Sequence, residues 1–107
     1  MKTKTIHVGG RKKINPDEIM MLEGNMNYTD LYLLNGKKIT VATTLKALEE
    51  RFIICQNFFR PHKSFIVNLN YLSDYQIDSN EFTMQNHRTV LISRRRKIAF
   101  QSRLASN

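Results

Sequence analysis

Residues 58–72 read FFRPHKSFIVNLNYL, and three side chains able to bond an anion, Arg60, His62 and Lys63, stand around Pro61 with no carboxylate among them. A second cluster, Arg94, Arg95, Arg96 and Lys97, lies in the segment ISRRRKIAF. Arg and Lys are donors without acceptors, and the planar Arg fork fits two oxygens at once. Their shared chemistry is recognition of phosphate or carboxylate. If Ser93 opens a helix, Arg94 to Arg96 fill its first turn, where the helix dipole disfavours each cation by about 0.3–1 kcal/mol at low salt. Backbone N–H groups and guanidinium forks facing the same way would then make a phosphate site, frustrated until phosphate arrives. In the first stretch, Phe58, Phe59 and Phe65 supply packing surface and Pro61 restricts the chain. Arg60, His62 and Lys63 would project from an anchored turn with few rotamers left to freeze on binding. The plainer readings are a solvated basic end and a core of Phe59, Phe65 and Val67 with exposed charges between.

The other reactive side chains do not form a catalytic or metal-binding set. His7, His62 and His87 are far apart without ligand spacing, and Cys55 has no second thiol. Cys55 follows Phe52-Ile53-Ile54, apolar surroundings in which a thiol stays protonated and inert. It reads as a small buried hydrophobe rather than the partner of His62. His62 and Ser64 would share one face of a strand, yet no acid stands near to orient the imidazole. Gly9, Gly10, Gly24 and Gly36 follow no phosphate-cradling pattern. The expectation is no enzyme, no metal and no cofactor.

Charge points the same way as the two clusters. Seventeen Lys and Arg against 9 acids give +8 at neutral pH, an excess that attracts polyanions. Between Glu50 and Asp74 the only charged or titratable side chains are Arg51, Arg60, His62, Lys63 and Cys55, Tyr71; after Glu81 no acid follows at all. The 107 residues suit one domain, 1–107, and 41% hydrophobic residues can supply its core. No apolar run approaches the roughly 20 residues that span a bilayer. MKTKTIHVGGRKK lacks the apolar segment of a signal peptide, and one cysteine suits a reducing compartment, so a cytoplasmic protein with no membrane partner is expected.

The elements that must hold these groups are mostly extended. Runs 5–8 and 11–14 flank Gly9-Gly10 as an N-terminal hairpin, an extension over residues 1–16. Asn15-Pro16-Asp17-Glu18 is turn chemistry, MMLE is extended, and GNMN (24–27) reads as a loop. YTDLYLL alternates, with Leu31 and Leu33 on one face. Asn35-Gly36 is a hairpin signal, with KKITV returning from it. Thr43 or Thr44 caps a short helix over 45–52, its inner face Leu45, Leu48 and Phe52. NLNYL reads as a turn; 74–78, 82–85 and 89–92 read as strands, and Ser93 opens a final helical segment. Many short strands with one or two short helices make a mainly β fold.

FFRPHKSFIVNLNYL resembles the central signature of the LytTR-type DNA-binding domain, the output domain of many bacterial response regulators. Phe58, Arg60, His62, Lys63, Ser64, Phe65, Ile66, Val67 and Asn68 match it in register. Asp17-Glu18-Ile19, Leu22-Glu23-Gly24, Asn27-Tyr28-Thr29, Asn35-Gly36-Lys37, Thr44-Leu45 through Leu48-Glu49, and Ile92-Ser93-Arg94 fall in the family's order, so the resemblance covers residues 17–104. It implies an elongated multi-strand β fold that reads duplex DNA through loops entering successive major grooves. Three places would face DNA: the loop from Asn25 through Asn27 to Tyr28, the turn carrying His62, Lys63 and Ser64, and the segment from Arg94. Among these, Arg94 is expected to read guanine directly, with Lys63 and Asn27 next. Arg60, Arg95, Arg96 and Lys97 are assigned to phosphate or structural positioning, and His62 either to phosphate or to bracing the turn. Lys63 stands where the family often has Arg, so a less selective contact is expected there. Met26 also departs from the pattern, and its loop is expected to reach less far.

The resemblance thus implies a sequence-specific transcriptional regulator, commonly on paired DNA sites, with a dimer on DNA possible. Without the family's usual receiver domain, a stand-alone protein is expected. The rival readings are a basic RNA-binding β module, with Tyr28, Tyr32, Phe58 and Phe59 as stacking platforms, and a module that binds an acidic protein partner.

Overall fold

The centre of the computed structural model, which describes residues 4–106, is explained by two runs that do not alternate. Ile19-Met20-Met21-Leu22 and Phe65-Ile66-Val67 are buried throughout. A strand that reads as a continuous apolar run needs a sheet covered on both faces. These runs are β3 (Ile19–Asn25) and β7 (Phe65–Asn68), neighbours in a five-stranded antiparallel sheet. Its other members are β4 (Tyr28–Leu33), β5 (Lys38–Val41) and β6 (Phe58–His62), in the order β5-β4-β3-β7-β6.

One face presents Leu22, Leu31 and Ile66 to a layer made of the hairpin β1 (Ile6–Gly9) and β2 (Lys12–Ile14) beside α1 (Leu45–Arg51). Thr44 caps α1 by accepting from the Ala47 N–H, and Leu45, Leu48 and Phe52 point inward. The N-terminal hairpin contributes Ile6, Val8 and Ile14 to this same core. The opposite face presents Met21, Val67 and Phe65 to a three-stranded sheet, β8 (Leu72–Asp74), β9 (Glu81–Met84) and β10 (Thr89–Leu91), and to α2 (Lys97–Ala105). There Phe100, fully buried, stacks on Phe82 at 4.8 Å and meets Tyr75 edge-on at 5.1 Å. Strand residues outnumber helical ones by 42% to 24%, so the class is mainly β, as the sequence predicts.

Several local expectations are corrected. The first hairpin turns at Gly10-Arg11, because Gly9 belongs to β1 and pairs with Lys12. A Cβ on Gly9 would stand 2.7 Å from Thr43 Oγ1. GNMN is not an open loop: Asn25 pairs with Tyr28, leaving Met26-Asn27 as a two-residue turn. The strand expected at 74–78 is instead Leu72–Asp74. Tyr75 turns inward onto Phe100, and Asp78 takes φ 67°. Arg94–Arg96 form a 3-10 turn leading into α2, and the Ser93 hydroxyl caps nothing. Ser93 is held through its backbone instead, its N–H donating to Pro61 O on β6.

Candidate nucleic-acid interface

Strand direction decides which turns meet. β3 runs antiparallel to β7, with Glu23 opposite Phe65, so the end of β3 lies beside the start of β7. The Gly24 N–H donates to Ser64 O at 2.8 Å and ties the two turns together. The turn Met26-Asn27 and the turn Lys63-Ser64 therefore leave the same end of the sheet. The segment from Ser93 joins them along the outer edge of β6: Ser93 N–H bonds Pro61 O at 2.9 Å, and Arg96 Nη1 bonds Arg60 O at 2.9 Å. Neighbouring strands lie about 4.8 Å apart, so the first two tips stand about 10 Å apart and the row of three spans about 17 Å.

The cations divide into two groups. Lys63, Arg94 and Arg95 are exposed, and among the described residues their side chains have no hydrogen-bond or ion-pair partner. Asn25 and Asn27 are exposed in the same way. Arg60 is held instead: Nη1 pairs with Glu49 Oε1 at 2.6 Å and Nη2 donates to Lys63 O at 2.7 Å, with its side chain 15% accessible. The carboxylate that seemed absent from 58–72 thus arrives from α1. Arg60 pins the turn on which Lys63 rides.

His62 braces as well. Its Nδ1 accepts from the Ser64 N–H at 3.1 Å, and its ring lies 5.9 Å from that of Phe65. With Nδ1 as acceptor, the neutral ring carries its proton on Nε2, which leaves a donor at the half-exposed end. Lys97 reaches Asp78 O at 2.5 Å and Asn80 Oδ1 at 3.2 Å. Arg103 donates to Gln56 O and Phe58 O. Arg60, Arg96 and Arg103 line a cleft of about 710 Å³ between α1 and α2, yet each already serves a carboxylate or a backbone carbonyl of the β6 region.

Asn68, the last residue of the central motif, is fully buried and faces no ligand. Its Nδ2 donates to Ile19 O, while Oδ1 accepts from Asn57 Nδ2 and Asn70 N–H. One amide thus fixes β3, the approach to β6 and the turn after β7. On the other face Arg88, at the β9–β10 turn, lies 4.3 Å over the Tyr32 ring and pairs with Glu23 at 2.9 Å. Burial pushes the Tyr32 hydroxyl up, against the opposing pull of Arg88. Burial also pushes the half-buried Cys55 thiol up.

One basic turn escaped the reading of the motifs. Gly9 packs against Val41 and Thr43, and Val41 pairs with Thr29 beside Tyr28. The turn Gly10-Arg11 consequently lies toward the same end of the molecule as Met26-Asn27. Arg11, Lys12 and Lys13 are exposed there. The paired glycines were the available signal, since only a close approach demands that Gly9 lack a Cβ.

The aromatic groups weighed as stacking platforms are mostly committed elsewhere. Phe58 is buried against Phe52 at 4.9 Å, Phe59 packs on Phe100, and Tyr32 lies under Arg88. Tyr28 alone of the four is exposed. Among the described residues no helix is long and apolar enough to cross a membrane, and no group of three or more His, Cys, Asp or Glu is placed to bind a metal ion.

The family model of the LytTr DNA-binding domain matches residues 9–105. A solved structure, the LytTr DNA-binding domain of a protein described as a methyl-accepting/DNA response regulator from Bacillus cereus, is similar with a TM-score of 0.72 and 22% identity, over 94% of each chain. At that identity the likeness establishes the fold. No curated protein sequence is matched.

Proposed function

Because the chain belongs to the LytTR family of DNA-binding domains, we propose that it is a sequence-specific transcriptional regulator that reads duplex DNA through the row of tips at one end of its central sheet. The observation that carries this reading is the sorting of the cations. Beside β6, Arg60, Arg96 and Lys97 are bonded to the protein, while Lys63, Arg94 and Arg95 stand free on neighbouring turns of one end. Free donors in a row on a braced sheet suit a rigid polyanion, because little side-chain order must be imposed on binding.

Arg94 is assigned to guanine in the major groove, where its fork meets O6 and N7. Asn27 and Lys63 take neighbouring base edges, and Asn25, Ser64, Arg95 and the Nε2 of His62 meet phosphate. Arg60, Arg96 and Lys97 position these groups. A row of about 17 Å is long enough to reach across a minor groove, about 6 Å wide, to the major-groove edges on both sides. Arg11 and Lys12 would extend the phosphate contacts at the flank away from Arg94. The whole chain acts as one domain, and two copies on paired sites are the expected arrangement on DNA.

The test is selection of bound sequences from a random duplex pool at physiological salt, followed by competition with single-stranded RNA and an acidic polypeptide. A recovered consensus, bound far more tightly than either competitor, is expected. Equal affinity for all polyanions would remove the sequence-specific reading. The RNA alternative is weakened by the burial of Phe58 and the packing of Phe59 and Tyr32, which leave few free rings on which bases can stack.

A further inference from the structure

Met26 is the most exposed large apolar side chain of the described residues, 93% accessible. Its backbone stands at φ 57°, as the first of the two turn residues between Asn25 and Tyr28. Asn27 has no positive φ. A positive angle at the first central position alone is the hairpin turn that glycine fills best, and left-handed backbone disfavours any residue with a Cβ. Met26 therefore strains the turn and, in the free protein, buries nothing in return. Such a residue is explained if its surface is covered only when a partner is bound. The turn is tight, with two residues between β3 and β4, and it holds a long thioether at its tip.

Resting on the duplex-DNA reading above, we propose that Met26 reads the C5-methyl of thymine, and that this turn selects A·T pairs. Thymine alone among the bases offers an apolar group in the major groove. Phosphate oxygens and the other major-groove base edges, which are donors and acceptors, give a thioether little to bury against. Met is unbranched and adapts its shape to irregular surfaces. Asn27 stands beside it, exposed and unpartnered, and Asn pairs with the N6 and N7 of adenine. One A·T step can thus satisfy both turn residues, the amide on adenine and the thioether on the thymine methyl.

The experiment uses the full chain and the duplex that wild type selects most strongly from a random pool, with thymines replaced one at a time by uracil. Uracil differs from thymine only in lacking the methyl. Wild type is expected to bind about fourfold more weakly when one particular thymine is replaced, the worth of one buried methyl. Met26→Gly and Met26→Asn should bind thymine and uracil duplexes equally. Both tolerate the left-handed angle, so neither should melt below wild type. A wild type indifferent to every uracil, or variants that keep its uracil penalty, would overturn the inference while leaving the DNA reading intact. A wild type that prefers no duplex at all would overturn that reading, and Met26 with it.

Discussion

Arg60 and Arg94 carry the same guanidinium near the same edge of one sheet, yet their surroundings are opposite. Arg60 is bonded to Glu49 and to Lys63 O, while the side chain of Arg94 is exposed and unpartnered among the described residues. A bound cation lowers the free energy of the fold and has nothing left to offer a ligand. A free one contributes little to the fold and keeps its donors for a partner. Around β6, therefore, the cations form two populations, one that holds the tips and one that forms them. Substitutions should separate stability from binding along the same line.

The largest effect belongs to the packing beneath the brace. Phe100→Ala removes a fully buried ring that touches Phe59, Tyr75 and Phe82. It should cost about 3–5 kcal/mol of stability by chemical denaturation. A loss under about 1 kcal/mol would mean that α2 is not anchored as described. Next come the braces themselves. Arg60→Ala and Asn68→Ala should each lower stability by about 1.5–3 kcal/mol, since each leaves buried or charged partners unpaired. For Arg60→Ala, weaker binding with unchanged stability would place it among the free cations and break the comparison.

Arg94→Ala should do the reverse. Its melting temperature stays at the wild-type value, binding to the selected duplex weakens by about 1–3 kcal/mol, and preference relaxes at one base pair. Retained affinity and preference would remove Arg94 from base readout. A smaller effect follows for Arg95→Ala, which should weaken binding to all duplexes alike and reduce the slope of log K against log salt by about 0.9, as expected for one phosphate contact.

The smallest effect concerns pH. Burial makes the folded Cys55 thiol harder to ionise than the unfolded one. Its contribution to stability is complete below the unfolded pKa and declines as pH rises through the folded value. Alkylation of the native protein at neutral pH should be slower than that of the denatured chain. Equal rates would mean that the thiol is not shielded.

Much of this arrangement is legible in the residues because the signals are local. Asn35-Gly36 marks a hairpin wherever it falls: Gly36 takes φ 87°, and the Asn35 side chain accepts from the Lys37 N–H. Thr44 caps α1 as its hydroxyl dictates, and the segments at residues 19–22 and 65–67 form strands as their apolar residues suggest. The register of Phe58 to Asn68 carried the family resemblance, and the family model bears it out. Calling Arg60 either a phosphate contact or a brace was as far as local reading reaches, since Glu49 lies on a helix elsewhere in the chain. The helical segment expected from Arg94 is there, but Ser93 does not cap it with its side chain, for a similar reason. The Ser93 N–H answers to Pro61 across the fold, and no local pattern encodes that bond.

The residues alone determined the mainly β class, the Asn35-Gly36 turn, the Thr44 helix start, the excess of positive charge and the family. Propensity, turn chemistry and net charge act over a few positions or over none. Tertiary structure decided which cations are consumed, which remain free, and that Asn27, Lys63 and Arg94 leave the same end of one sheet. Those outcomes depend on antiparallel pairing and on hydrogen bonds between distant segments, whose partners are chosen by the closed fold.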